Sequence, residues 1–290
     1  MNRSIIGHLC AILAIVVWPL SSYSYSRLGE YLSPLEILVA GTLTSVAVLN
    51  LIYIPRLHLR KKRLEAGFIL AGLFGVALWY YLSGRTAASL PSGCFSVVYA
   101  LVPICCLFVG KISGRHPFVS RSFFAGFGFS LVGILVLVYA DGGALPSLLG
   151  VAFALASALT LGAFFVSYKS PLHTGNVIAV CRRVLLWGFV FLIPLCFFGN
   201  FDIESYRAVL SVDMLLHLVI TCVALPSVSC LAIGYAIKTL DPTRASGYVY
   251  AVPIAAILYR AILHSRSVSS FVLVSVILII IGITLSVKRK

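Results

Sequence analysis

The chain has 290 residues, 61% of them apolar and only 10% charged, with a formal charge of +14. Soluble domains carry about a quarter charged residues, and helices apolar all round leave no face for water, so a water-soluble fold is excluded. A charge of +14 would suggest nucleic acid in a soluble protein, but its placement here follows a bilayer and needs no polyanionic partner.

A membrane-spanning helix needs roughly 20 mostly apolar residues. Windows of that kind recur in chain order at 5–26, 33–54, 66–84, 88–110, 121–140, 148–168, 176–198, 212–236, 243–263 and 268–287. The expected fold is therefore all-α and integral to the membrane, with ten transmembrane helices. The third and fourth windows nearly merge, so nine is the nearest alternative count. The first window follows Arg3 but is read as a span rather than a cleaved leader, because no small-x-small site follows it.

Alternating the spans from an inside N-terminus sorts the charges. One side collects Arg3, Arg56, Arg60, Lys61, Lys62, Arg63, Lys111, Arg115, Arg121, Lys169, Arg182, Arg183, Lys238, Arg244, Lys288, Arg289 and Lys290. The other keeps only Arg27, Arg85, Arg207, Arg260 and Arg266, with most of the acids. This is the positive-inside bias, and it predicts both termini on the cytoplasmic side of the cell inner (plasma) membrane. The Arg60–Arg63 cluster is suited to anionic lipid rather than nucleic acid.

Eight cysteines, Cys10, Cys94, Cys105, Cys106, Cys181, Cys196, Cys222 and Cys230, all fall in spans with no Cys-x-x-Cys, and the six histidines are scattered. Neither a metal site nor a cofactor is expected. His8 and His217 sit near span ends, where interfacial placement is the default. Glu36 is the only carboxylate read as embedded, with Asp213 at the edge of its window counted outside; intramembrane catalysis would need paired groups, so an enzyme is not expected.

The spans divide at a turn-rich link, Asp141-Gly142-Gly143-Ala144-Leu145-Pro146-Ser147, into repeats at 1–142 and 147–290. An odd number of spans per half inverts one half relative to the other, as in many transporters. Ala100-Leu101-Val102-Pro103-Ile104 matches Tyr250-Ala251-Val252-Pro253-Ile254. Ser92-Gly93 echoes Ser246-Gly247, Gly133 echoes Gly282, and Gly7 with Tyr25 echoes Gly150 with Tyr168. Proline inside a helix loses a hydrogen bond and bends the chain. Pro103 and Pro253, mid-span in equivalent helices, are thus read as paired gating bends or, equally, as packing kinks.

A larger pattern emerges from Trp18 near the end of the first span, Ser33-Pro34-Leu35-Glu36 opening the second, a basic loop, and Leu131-Val132-Gly133-Ile134-Leu135 closing the fifth. The second half continues it with Tyr235-Ala236-Ile237-Lys238, Arg244-Ala245-Ser246, Pro253 and Ile281-Gly282-Ile283. This ordered set resembles the ten-helix EamA-type permeases of the drug/metabolite transporter superfamily along the whole chain. Ile15-Val16-Val17-Trp18 and Ile54-Pro55-Arg56 lean toward its aromatic amino acid exporters. The chain departs from that pattern where the family often has glutamate after the fourth and ninth spans: here stand Lys111 and His264. Gly41 occupies a place where the family often has arginine in the second span, whereas Arg182 and Arg183 remain in the seventh.

The resemblance implies a central cavity lined by the first, third, fourth, sixth, eighth and ninth spans. Its candidate substrate-binding residues are Ser22, Trp79, Tyr80, Ser92, Ser96, Tyr99, Phe164, Tyr235, Ser246 and Tyr248. Tyrosine offers an apolar face and a hydroxyl, which suits an amphipathic small-molecule substrate. Arg182 and Arg183, two turns into the seventh span, either snorkel to the headgroups or form an anion handle. Glu36 lies in the first turn of its span, where it can cap the helix and stay hydrated, which makes it a poor proton carrier. The expected function is secondary transport of a small amphipathic metabolite, with amino acid export first, by alternating access without obligatory proton coupling. The alternatives are a carrier for a nucleotide-like metabolite such as S-adenosylmethionine and a non-transporting membrane assembly subunit. Monomer and homodimer stay equally open.

Overall fold

The structure, a computed structural model, describes residues 3–53, 62–89, 99–114, 120–140, 147–173, 175–198, 201–209, 211–255, 258–259 and 270–287. Among them there is helix but no strand. Helix α1 is Arg3–Leu28 and α2 is Pro34–Ile52. Helix α3 covers 62–89 and α4 is Val102–Ile112. Arg121–Ala140 is α5, Leu148–Leu172 is α6 and Val177–Phe198 is α7. Helix α8 covers 212–240, α9 covers 242–255 and α10 is Ser270–Val287. Six helices among the described residues are long and apolar enough to cross a bilayer: Pro34–Ile52, Glu65–Thr86, Leu148–Leu172, Val177–Phe197, Asp213–Leu240 and Ser270–Val287. Ser4–Trp18, Val102–Ile112 and Arg121–Val136 are shorter apolar helices.

Several starts are written locally. Ser33, Ser147 and Ser211 sit in extended backbone, and their hydroxyls accept from the N–H of Glu36, Gly150 and Met214, closing donors that the first helical turn leaves open. Glu36 returns the favour by accepting from Ser33 N, which completes a capping box. Between α8 and α9 the chain reverses at Asp241, whose φ of 75° and ψ of 153° are backbone that favours glycine. Pro242 then starts α9 where a missing N–H is harmless.

Three close pairs run antiparallel. Along α1 and α8, Gly7 lies against Thr239 and Leu240 while Ser24 meets His217 at the far end. Along α3 and α6, Gly67 lies against Ser170 and Pro171, Gly75 against Phe164, and Ser83 bonds Ser157. Helix α5 runs antiparallel to α10, with Gly126 near Ser286 and Gly133 near Ser275. Helix α2 packs on α7 and α8, and α7 packs on α2 and α3. The middles of α3 and α8 are π-helical, at Leu73–Leu78 and Ile220–Val228.

These pairings separate two ends of the molecule. One collects the start of α1, the end of α2, the start of α3, the end of α6, the start of α7 and the end of α8; we call it the Arg183 end. The other, the Glu36 end, holds Leu28, Leu32, Ile37, Val209 and Met214 in an apolar cluster. The main core lies between them, around Trp18, Trp79, Phe164, Phe165 and Tyr168.

Candidate solute path

At the centre, α1, α3 and α4 bring aromatic rings together. The Trp18 ring lies 5.4 Å from Trp79 and 6.4 Å from Tyr99, and Trp79 lies 4.6 Å from Tyr80. Phe164 stacks on Tyr168 at 5.0 Å on the neighbouring α6. The Trp79 Nε1–H is sealed from solvent; it lies near the Tyr99 hydroxyl without closing a well-shaped hydrogen bond. A buried donor left in that condition is uncommon.

Toward the Arg183 end, a small cavity of about 10 Å³, room for about one water, lies between α1, α6, α8 and α9, lined by Ala14, Trp18, Phe165, Ile233 and Tyr248. Its polar group is the Tyr248 hydroxyl, which sits 2.5 Å from His8 Nδ1. Toward the Glu36 end, a larger cleft of about 100 Å³ lies between α2 and α8 on one wall and α3 and α7 on the other. Pro34, Leu38 and Thr221 face Tyr80, Tyr81 and Leu195 across it. The Thr221 hydroxyl is buried with no partner.

Of the residues nominated from the sequence, Trp79, Tyr80 and Tyr99 converge on one cluster, and Phe164 and Tyr248 border it. Tyr235 is 38% exposed on the outer surface of α8. Ser246 is fully buried and bonds back to Thr243 O, so its hydroxyl is already taken. The Ser22 side chain, Ser92 and Ser96 lie outside the described residues. Pro103 does not interrupt a continuous α-helix: the chain turns at Ala100 and Leu101, and Pro103 then falls in the first turn of α4. Pro253 likewise follows a 3-10 turn, Tyr248–Ala251. Each proline thus stands just after a local departure from α-helix.

The paired arginines are engaged by protein groups. Arg183 donates from Nε to Glu65 Oε1 at 3.1 Å and from Nη2 to Oε2 at 2.6 Å, while Trp187 Nε1 donates to the same carboxylate at 3.0 Å. Its guanidinium also lies 5.0 Å over the Phe68 ring, a cation–π distance. Arg182 donates to Asn50 Oδ1 at 2.8 Å, and its Nε is buried without a partner.

Glu36 caps its helix as expected, but it is not hydrated. Only 3% exposed, it accepts from Ser33 N at 2.7 Å, Asp202 N at 2.8 Å and Ser205 Oγ at 3.2 Å. The link 201–209 folds over it, and the Tyr206 hydroxyl donates to Glu36 O at 2.7 Å. Burial first, and then the Glu36 carboxylate, push the Tyr206 phenol above its ordinary range, so it remains a donor at physiological pH.

Sequence reading missed the partners rather than the residues. His8, near the end of its span, reaches Tyr248, 240 positions away. Glu65 meets Arg183 and Trp187, 118 and 122 positions away. No periodicity or motif announces such pairs, because they depend on how distant helices pack.

Residues 148–288 match the EamA-like transporter family. The transporter YvbV of Bacillus subtilis is 27% identical over 96% of this chain and 90% of its own length. A transporter of Archaeoglobus fulgidus is 23% identical over 96% of this chain and 97% of its own. A solved crystal structure aligns with a TM-score of 0.75 at 18% identity, covering 98% of this chain and 96% of the other, and so shares its fold. With the EamA-like match confined to residues 148–288 and the likeness to transporters running nearly end to end, the chain resembles a membrane transporter along its length and an EamA-like transporter in its second half.

Proposed function

We propose that this transporter moves a small amphipathic metabolite, an amino acid on its way out of the cell, by alternating access between two inverted five-helix repeats. The observation that carries the cargo class is the aromatic cluster of Trp18, Trp79, Tyr80 and Tyr99. Its faces are apolar, its few polar atoms are hydroxyls and indole N–H groups, and one of those donors lacks a good partner. A zwitterion with an apolar side chain suits such a lining.

The inverted repeat and the ten-span count are supported by the way pairings map onto each other. If α1–α5 are exchanged with α6–α10, the α1·α8 pair becomes α6·α3, and α2·α8 becomes α7·α3. The pairs α2·α7, α4·α9 and α5·α10 return to themselves. All of these pairs pack together. Positions 36 and 183, 41 and 188, and 76 and 223 are each 147 apart, and Val76-Ala77-Leu78 recurs as Val223-Ala224-Leu225 within the two π-helical stretches. The gathering of Glu65, Lys169, Arg182, Arg183 and Lys238 at one end supports a cytoplasmic Arg183 end under the positive-inside rule.

Transport without obligatory proton coupling rests on Glu36. Its three acceptor bonds and its place in a helix cap give it a structural task at one end of the molecule, away from the aromatic cluster. The test is counterflow by purified protein in liposomes at equal pH on both sides, across a panel of aromatic and aliphatic amino acids. Exchange of at least one of them is expected, and Glu36→Gln should retain most of it. Uphill accumulation driven by a pH gradient alone, abolished in Glu36→Gln, would overturn the coupling reading. Movement of large polyanions only would overturn the cargo reading.

A further inference from the structure

Two sets of polar links tie these helices together, and they divide by the helices they join. Glu36 on α2 holds Asp202 N and Ser205 Oγ, in the link that leads into α8. At the other end Arg183 on α7 holds Glu65 at the start of α3. The two clasps occupy corresponding positions, 36 and 183. Glycine approaches follow the same division: Gly7 of α1 lies against α8, Gly67 and Gly75 of α3 against α6, and Gly72 of α3 against α7. Ser24–His217 joins α1 to α8, and Ser83–Ser157 joins α3 to α6. Glycine approaches and clasps therefore bind α1, α2 and α8 into one group and α3, α6 and α7 into another, with α2 also packing on α7 across the seam. Each group draws helices from both halves of the chain.

Among the described residues, polar links between the groups lie toward one end, including the Tyr168 hydroxyl of α6, which donates to Cys230 O of α8. Arg182 on α7 bonds Asn50 on α2, Lys169 on α6 pairs with Asp241 after α8, and Lys238 on α8 donates to Gly175 O. All three lie at the Arg183 end. There the last part of α8, Ser229–Leu240, packs on both α6 and α7, with Gly234 opposite Val177 and Tyr168. The counterpart at the Glu36 end is the last part of α3, Trp79–Ser89. It makes only a slight contact with α2, and the 100 Å³ cleft runs along the seam between the groups there.

We propose that the moving bodies of this transporter are these two exchanged groups rather than its two repeats, and that this structure is the state latched at the Arg183 end and parted at the Glu36 end. Glu36 and Arg183 are positioning residues that carry α8 with α2 and α3 with α7. Arg182, Asn50, Lys169, Asp241 and Lys238 form the latch that must release for the Arg183 end to open. The inference rests on the alternating-access reading above, but its test needs no cargo and so fails or succeeds separately from the counterflow assay.

Spin labels carried on unnatural amino acids would be placed at three exposed positions, and distances measured by pulsed electron resonance on full-length protein in lipid nanodiscs. Tyr31–Leu216 joins two halves within one group. Tyr31–Tyr81 joins two groups within one half. Asn50→Leu, which removes the acceptor of Arg182, should give Tyr31–Tyr81 a second, shorter population while Tyr31–Leu216 keeps a single distance. Lys238→Ala is the second variant and should shift the same pair in the same direction. A split Tyr31–Leu216 distribution with an unchanged Tyr31–Tyr81 would mean that the repeats move as bodies, and the proposal would be wrong. No shift in either pair with either variant would remove the latch.

Discussion

The two ends of the molecule solve the same problem with opposite chemistry. At the Glu36 end a buried carboxylate gathers backbone N–H groups and a hydroxyl from a short link. At the Arg183 end a guanidinium, an indole and a carboxylate meet side chain to side chain, half-exposed. Backbone donors have fixed positions, so the first arrangement fixes a link. Long side chains can change partners, so the second can bear a load that must sometimes be released. The difference also shows in the seams. A Cβ on Gly72 would lie 2.7 Å from Gly188 N and Trp187 Cβ, whereas one on Gly41 would meet Pro226 and Cys222 at 3.5 and 3.6 Å, ordinary contact distances.

That contrast can be broken most forcefully at the seams. Gly72→Ala should destabilise the protein by about 1–3 kcal/mol, because backbone on the facing helix cannot yield. Gly41→Ala should stay within about 0.5 kcal/mol of the parent, the usual range for a substitution that meets no obstacle. Thermal unfolding of detergent-solubilised protein checks both; equal losses would show that the seams do not differ.

Next in size are the clasps. Glu65→Ala strands Arg183 and Trp187 Nε1 together and should cost about 1–2 kcal/mol, the lower range for bonds to a charged group because both side chains are partly wet. Glu65→Gln keeps one acceptor and should recover about half of that. The smallest effect belongs to the exposed pair. Lys169→Ala should change stability by less than about 0.5 kcal/mol, since Asp241 is 61% exposed and such pairs are worth little. A loss above 2 kcal/mol there would mean that the pair is a structural clasp and not a releasable link.

Much of this architecture was legible in the residues. Apolar runs gave α2, α5 and α7 to within a residue or two, because a lipid-facing helix must be apolar over its whole length. Serine before each of α2, α6 and α8 marked their starts through cap chemistry that is local. The site was legible only in part. Trp79, Tyr80 and Tyr99 could be nominated as aromatic residues in inward-turned helices, and they do meet. Tyr235 could not be rejected, since outward and inward faces look alike when lipid and core are both apolar. Ser246 could not be rejected either, as only the backbone shows its hydroxyl satisfied by Thr243 O. The π-helical stretches depend on fit against Phe164 and Gly41, which no local pattern reveals.

The clasps also set a schedule for the growing chain. Glu65 leaves the ribosome 118 residues before Arg183, and Glu36 leaves 166 residues before Asp202. At roughly 5–20 residues per second the first wait lasts on the order of 6–24 s. Until α7 and the link after it are made, Glu65 lacks its partners on α7 and Glu36 keeps only its local bond to Ser33 N. An early-inserted half in that condition is incomplete by construction, exposed to quality-control proteases that survey unassembled helices. Its rescue comes when α7 and then the link into α8 arrive, so the order of synthesis and the order of clasp formation are the same.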